Sequence, residues 1–252
     1  MKTFVDVGFV ILFALLMLLP GIAGSVMIEV HVPKYLEGRI SSFSYNCSIN
    51  ILRFQVEFYN TGSIPYKARI RTDIFNNTHM LFTGWSKEEI LMPGDRKNFN
   101  VYWYTNSTGN FTAKVRSYFA NEILEREYMI EKNTSSAAEN IFEITDFRIY
   151  DDYVIFDITA KKEARNVVVI PDFPPGWMFE QKKIDYLDDT KKTVVLGYQP
   201  GVWTSENLKL EVASDGGRYY TEKVFELKKE TGILWFIHYI VDNLKIIFSE
   251  YR

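Results

Sequence analysis

Residues 51–74, ILRFQVEFYNTGSIPYKARIRTDI, alternate apolar and polar side chains on both sides of a four-residue break, NTGS. Successive side chains of an extended chain point to opposite faces. Leu52, Phe54, Val56 and Phe58 therefore share one face, and Arg53, Gln55, Glu57 and Tyr59 the other. Beyond the break, Tyr66, Ala68, Ile70, Thr72 and Ile74 alternate against Lys67, Arg69, Arg71 and Asp73. The stretch reads as a hairpin of two half-buried strands, with Asn60 and Gly62 supplying the positive φ of a tight reversal. Its outer face, Lys67, Arg69 and Arg71, is basic and suits either solvent or an acidic glycan or partner.

The same alternation runs on through MLFTGW, ILMPGDRKNFNVYWY and GNFTAKVRSYFANEILEREYMIE, with turns at Met92–Asp95 and at Asn121–Glu122. With an early strand at MIEVHV, about seven strands fill residues 25–131, as in a β-sandwich. KNTSSAAEN, from Lys132, is small and polar and reads as a linker over 132–139. A second run of strands follows over 140–229: FEITDFRIY, YVIFDITAK, ARNVVVI, KKTVVLGY, NLKLEVAS and RYYTEKVFELKK, with turns at Asp151–Asp152 and Asp215–Gly217. Aromatic residues make up 16% of the chain, which favours pleated, half-buried surfaces throughout.

FQVEFYNTGS, YKARIRTDI, ILMPGD and FNVYWYTNSTGNFTAKVRSYF together resemble the adhesion-related, CARDB-like immunoglobulin-like modules of archaeal and bacterial surface proteins, over about residues 50–120. The resemblance implies a surface-exposed, non-catalytic module of the cell envelope and carries over no functional residue. The expected fold class is all-β: two tandem immunoglobulin-like β-sandwich domains with an N-terminal apolar helix and a C-terminal amphipathic helix over 230–252.

Val7 to Ile28 is 22 residues without a charge. Residues 1–24 read either as a signal peptide, cleaved after the break at Pro20–Gly21, or as an uncleaved signal anchor, and both readings export the rest. The expected location is the outer face of the cytoplasmic membrane or the cell envelope. Cys47 stands alone, so no internal disulfide supports the exported part, and it reads as a small buried apolar residue. The net charge of −3, with its 29 basic residues dispersed, gives no footprint for nucleic acid.

Five N-glycosylation sequons begin at Asn46, Asn76, Asn106, Asn110 and Asn133, and none falls after residue 140. Trp177 in FPPGWMF and Trp203 in QPGVWTS each lie in a predicted loop beyond a Pro-Gly pair, where indoles form a sugar- or peptide-binding platform or plug the end of a core. Asp151–Asp152 and the group Asp185, Asp188 and Asp189 lack the spacing of a calcium loop. His31, His79 and His238 form no metal set, no serine-nucleophile elbow is present, and no cofactor is implied.

The C-terminal TGILWFIHYIVDNLKIIFSEYR breaks the strand pattern. At 100° per residue His238, Asp242, Lys245, Ser249 and Arg252 form a narrow polar stripe, with Phe236, Ile240, Leu244, Ile247 and Phe248 opposite and Thr231 as the N-cap. A helix apolar over so wide an arc meets a membrane surface, a partner's groove or its own sandwich. The leading expectation is a non-enzymatic envelope protein that binds or spaces, with the membrane surface and a cell-surface glycan or envelope protein as partners. The alternative is a secreted glycan-active enzyme whose carboxylates assemble between the domains.

Overall fold

A computed structural model describes residues 34–173, 176–199, 207–227 and 233–250. The apolar N-terminal segment, the MIEVHV strand and Thr231 lie outside these residues.

Sixteen strands, one α-helix and a short 3-10 turn at Asp215–Gly217 are described. The first half holds β1 (Gly38–Cys47), β2 (Ile51–Asn60), β3 (Tyr66–Asn76), β4 (His79–Trp85), β5 (Glu89–Leu91), β6 (Arg96–Tyr104), β7 (Gly109–Phe119) and β8 (Glu122–Lys132). The second half holds β9 (Phe142–Ile149), β10 (Tyr153–Ala160), β11 (Ala164–Asp172), β12 (Met178–Phe179), β13 (Lys182–Leu187), β14 (Lys192–Gln199), β15 (Asn207–Ser214) and β16 (Tyr219–Glu226). Helix α1 (Ile233–Glu250) follows.

In the first half β1-β2-β6 forms one sheet and β4-β3-β7-β8 the other, with β5 paired to β3. In the second half β12-β14-β10-β9 and β13-β11-β15-β16 repeat that order, and every pairing between named strands is antiparallel. This succession, with the first, second and fifth principal strands in one sheet and the third, sixth and seventh in the other, is that of an immunoglobulin-type sandwich.

The residues at 51–74 form two strands, as their alternation requires, but not a hairpin. β2 pairs with β1 and β6, whereas β3 pairs with β4, β5 and β7 in the other sheet. The apolar faces of the two strands meet across the core: Val56 and Phe58 of β2 pack with Tyr66, Ala68 and Ile70 of β3. The NTGS break is thus an arch between sheets, and neither Asn60 nor Gly62 has a positive φ. Asn60, fully buried, shapes the arch with its side chain: Oδ1 accepts from Gly62 N–H at 2.9 Å, and Nδ2 donates to the carbonyls of Ile64 and Leu91, both at 3.1 Å. Gly62 is needed for closeness, since a Cβ there would lie 2.7 Å from the Tyr35 carbonyl oxygen.

The two halves are continuous through a shared core. β11 turns Val167 and Val169 into the second sandwich, and Val168 and Ile170 onto Leu52, Phe54, Val101 and Trp103 of the first. Rings of Tyr104 and Tyr220 stack across the same junction at 3.8 Å. Buried Asn50 closes it. Its Nδ2 donates to Ser136 O at 2.8 Å and to Gly217 O at 3.2 Å, its Oδ1 accepts from Ser136 N–H at 3.2 Å, and its own N–H donates to Gly216 O at 2.7 Å. The segment read as a linker is therefore fastened: Ser136 by Asn50, and Lys132, the fully buried last residue of β8, by donation from Nζ to the Thr134 carbonyl.

Replacing Asn50 with Ala leaves the buried Gly217 carbonyl unpaired, at about 1–3 kcal/mol, and removes two part-buried bonds to Ser136. The expected loss is about 2–4 kcal/mol in urea denaturation, against less than about 0.5 kcal/mol for Asn100→Ala on an outer strand face. Equal stability of the two variants would mean that the junction is not held by Asn50.

Candidate functional site

Helix α1 turns the centre of its polar stripe, Asp242, inward, with His238 half-buried and Lys245 exposed at the edge of the contact. Asp242, in the middle of the helix, is fully buried. Its Oδ2 accepts a hydrogen bond from Tyr150 Oη at 2.6 Å and lies 3.0 Å from Arg148 Nε, while Lys245 Nζ stands 3.5 Å from Oδ1. Arg148 lies on β9 and Tyr150 directly after it, so the helix is clamped to the second sandwich by charge and hydrogen bonding. Tyr239 completes the contact with its ring 5.7 Å from that of Tyr150, and Tyr198 Oη donates to the Tyr150 carbonyl beneath. A carboxylate kept from water is tolerable only when paired, and Asp242 has both a cation and a hydrogen-bond donor.

With Asp242 turned inward, the apolar residues on the opposite side of the helix face out. Phe236 is 57% exposed, Ile247 52% and Leu244 49%, and Ile237, Ile240 and Val241 are exposed beside them. Four of the five residues expected to contact a membrane, Phe236, Ile240, Leu244 and Ile247, thus share one open surface, while the side chain of Phe248 lies outside the described ones. No described helix is long and apolar enough to cross a membrane.

The other expected sites fare differently. All five sequon asparagines, Asn46, Asn76, Asn106, Asn110 and Asn133, are exposed. Trp177 is only 3% exposed and stacks on Phe179 and Tyr198, with centroids 6.0 and 5.5 Å away, so both neighbours belong to the core of the second sandwich. Trp203 lies outside the described residues. Cys47 is half-buried, and burial pushes its thiol up.

Each cation on the basic face of β3 has an acidic partner in place. Lys67 and Arg69 reach Glu88 at 2.9 and 3.0 Å, and Arg71 reaches Asp73 at 2.7 Å. Asp73 was expected among the outward residues but is 1% exposed, held also by Arg116 and by Thr83 Oγ1 at 2.7 Å. The two aspartate groups at Asp151–Asp152 and 185–189 form no ligand set, and no group of metal-binding side chains occurs among the described residues. Between the halves runs a groove of about 440 Å³, bordered by Lys87, Glu89, Glu180 and Lys183 and by the edges of β6 and β14. Sequence reasoning missed it, because the strand edges that form it, at Asn98–Tyr102 and Val195–Gly197, are distant in the sequence.

No protein-family model matches the chain, and no curated protein matches it. Among solved structures, the chain is similar to red sea bream transglutaminase at 10% identity and a TM-score of 0.30, over 79% of this chain and 32% of that one. It is similar to the class 5 fimbriae chaperone CfaA at 11% identity and a TM-score of 0.29, over 78% of this chain and 100% of that one. A third likeness is to the CsuC–CsuE chaperone and tip adhesion subunit complex of Acinetobacter baumannii, at 11% identity and a TM-score of 0.25, over 71% of this chain and 92% of that one. The chain spans about a third of the length of the transglutaminase, and scores this low carry no argument about function.

The clamp has a signature in alkali. Burial first, then the hydrogen bond to Asp242 and its charge, push the Tyr150 phenol above its ordinary value. Tyr153 beside it is pushed up to about 12, by burial and then by the charges of Tyr239 and Asp242. Folded-state values above the unfolded ones mean that the stability from these phenols is complete below a pH of about 10 and is lost as pH rises through the folded values. Ultraviolet titration should find them still protonated at a pH of about 11. Tyr150→Phe should remove one late-titrating phenol and speed hydrogen exchange along α1, in proportion to a lost charge-assisted bond of about 1.5–3 kcal/mol. Unchanged exchange would mean that the helix is held by other contacts.

Proposed function

We propose that the chain is a non-enzymatic, exported module of the cell envelope, made of two tandem immunoglobulin-like domains and held against a membrane surface by helix α1. The carrying observation is the orientation of α1: the clamp of Arg148 and Tyr150 takes Asp242, leaving Phe236, Ile240, Leu244 and Ile247 on the open side. An ordinary surface helix does the reverse, burying its apolar side against its own protein. A row of large apolar side chains held in water is costly, and a bilayer interface removes that cost.

In this reading the two sandwiches stand off the membrane as a binding or spacing element, and residues 1–24 serve as the leader or a second anchor. The partners are the membrane surface and a glycan or protein of the envelope. The five exposed sequon asparagines, all in the first half or just beyond β8, support a glycosylated outer half. The resemblance of residues 50–120 to adhesion-related surface modules is in keeping with both.

Membrane partitioning of the chain produced with its own leader tests the reading, with intact mass establishing where the mature chain starts. Each buried Phe or Leu side chain contributes about 1.5–3 kcal/mol, so Phe236→Glu with Leu244→Glu should lower partitioning of processed chain by about 100-fold or more. The urea midpoint should stay where it is, because both side chains are exposed. Processed double variant that stays on membranes, or that unfolds early, would overturn the role of α1.

A further inference from the structure

The groove between the halves is bordered by two strand edges. β6 is the last strand of its sheet, and no described strand pairs with it on the far side from β2. At one point a side chain stands in for such a strand. The Gln181 amide accepts from Tyr102 N–H through Oε1 at 2.6 Å and donates from Nε2 to Tyr102 C=O at 2.6 Å.

That pair fixes which residues face the groove. In an antiparallel ladder each residue sends both main-chain groups to the same neighbour, and successive residues alternate between neighbours. Tyr102 turns from β2, so Asn100 and Asn98 do as well, opposite Gln55 and Glu57. The bond from Thr105 N–H to Asn50 O at 2.9 Å, on the β2 side, keeps the same parity. The side-chain oxygens of Asn98 and Asn100 are taken elsewhere, accepting from Gln55 Nε2 at 3.2 Å and Arg53 Nε at 2.9 Å. What these residues offer to the groove is main chain.

The opposite wall has the same character. β12 pairs only with Tyr198 and Gln199 of β14, so the edge of β14 is open from Gly197 toward Lys192. Gly197 O accepts from Glu180 N–H at 3.3 Å, and Val195 O accepts from Lys182 Nζ at 3.4 Å, so these alternate residues also point into the groove. No atom lies within 4 Å of where a Gly197 Cβ would stand.

We propose that this groove is a strand-addition site, taking an extended segment of a partner protein that pairs with the main chain of Asn98 and Asn100 in line with Gln181. Donors and acceptors along β6 recur at every second residue, about 6.8 Å apart, which is the repeat of another extended chain. Ring hydroxyls of a sugar have no such repeat. The groove volume of about 440 Å³ admits only a few residues, so recognition is by main chain with little selection among side chains. Lys182, held on Val195 O, and the neighbouring Lys183 guard the edges against unspecific pairing, as lysines on open strands do.

The test uses the full-length chain in detergent micelles and heptapeptides selected from a displayed random library. Hydrogen exchange should be fast at the Asn98 and Asn100 amides of the free chain and slow saturably with a selected heptapeptide. Methylating alternate peptide nitrogens should abolish the effect. Asn100→Pro, which removes a groove-side N–H and no β2 bond, should weaken the peptide at least tenfold, whereas Asn100→Ala should bind as the parent does. Four results overturn the proposal: protected edge amides in the free chain, no selected peptide that slows them, equal binding of the methylated peptide, or protection by chito-oligosaccharide in place of peptide.

Discussion

Strand β11 is buried on both faces from Val167 to Pro171, and the arrangement of the two halves follows from that. Val167 and Val169 belong to one core and Val168 and Ile170 to another, so each sandwich completes its apolar packing on the same four consecutive residues. Burial at this scale fixes position only when the polar groups it traps are satisfied. β2 meets that condition at both ends, where Asn50 and Asn60 are fully buried and each bonds main chain from two other segments. The apolar run brings the halves together, Asn50 selects one geometry of contact between them, and Asn60 fixes the arch within the first.

The sequence made the strands legible because period two is a local property. Leu52, Phe54, Val56 and Phe58 are buried as their spacing requires, and the turns at Met92–Asp95 and Asp215–Gly217 fall where glycine and aspartate place them. Pairing was not legible, because alternation says which face is apolar and nothing about which strand lies alongside. The arch at NTGS read as a hairpin for that reason. β1 and β13 escaped notice because their serines and lysines dilute the alternation, as the half-exposed burial patterns of both strands reflect. VVVI carried the strongest unused signal: a strand with no polar face must be covered twice.

The candidate site was half legible. The stripe of Asp242 and its neighbours could be drawn on a helical wheel, but a wheel has no inside or outside. Orientation was decided by Arg148 and Tyr150, more than 90 residues earlier, which offer Asp242 a cation and a hydroxyl. The same blindness to distant partners made the face of Lys67, Arg69 and Arg71 look like free positive charge, although each of the three pairs with Glu88 or Asp73 in the fold.

The arch after Asn60 also governs the order in which the chain can assemble. Strands that are neighbours in sequence are sent to opposite sheets, so β2 waits for β6, which begins 36 residues after β2 ends, before its second ladder forms. Each closure costs chain entropy before any contact returns it, and domains dominated by such distant pairings fold in milliseconds to seconds rather than microseconds. A chain that emerges from its N-terminal end therefore presents β2 with one open edge until nearly half of its length has appeared.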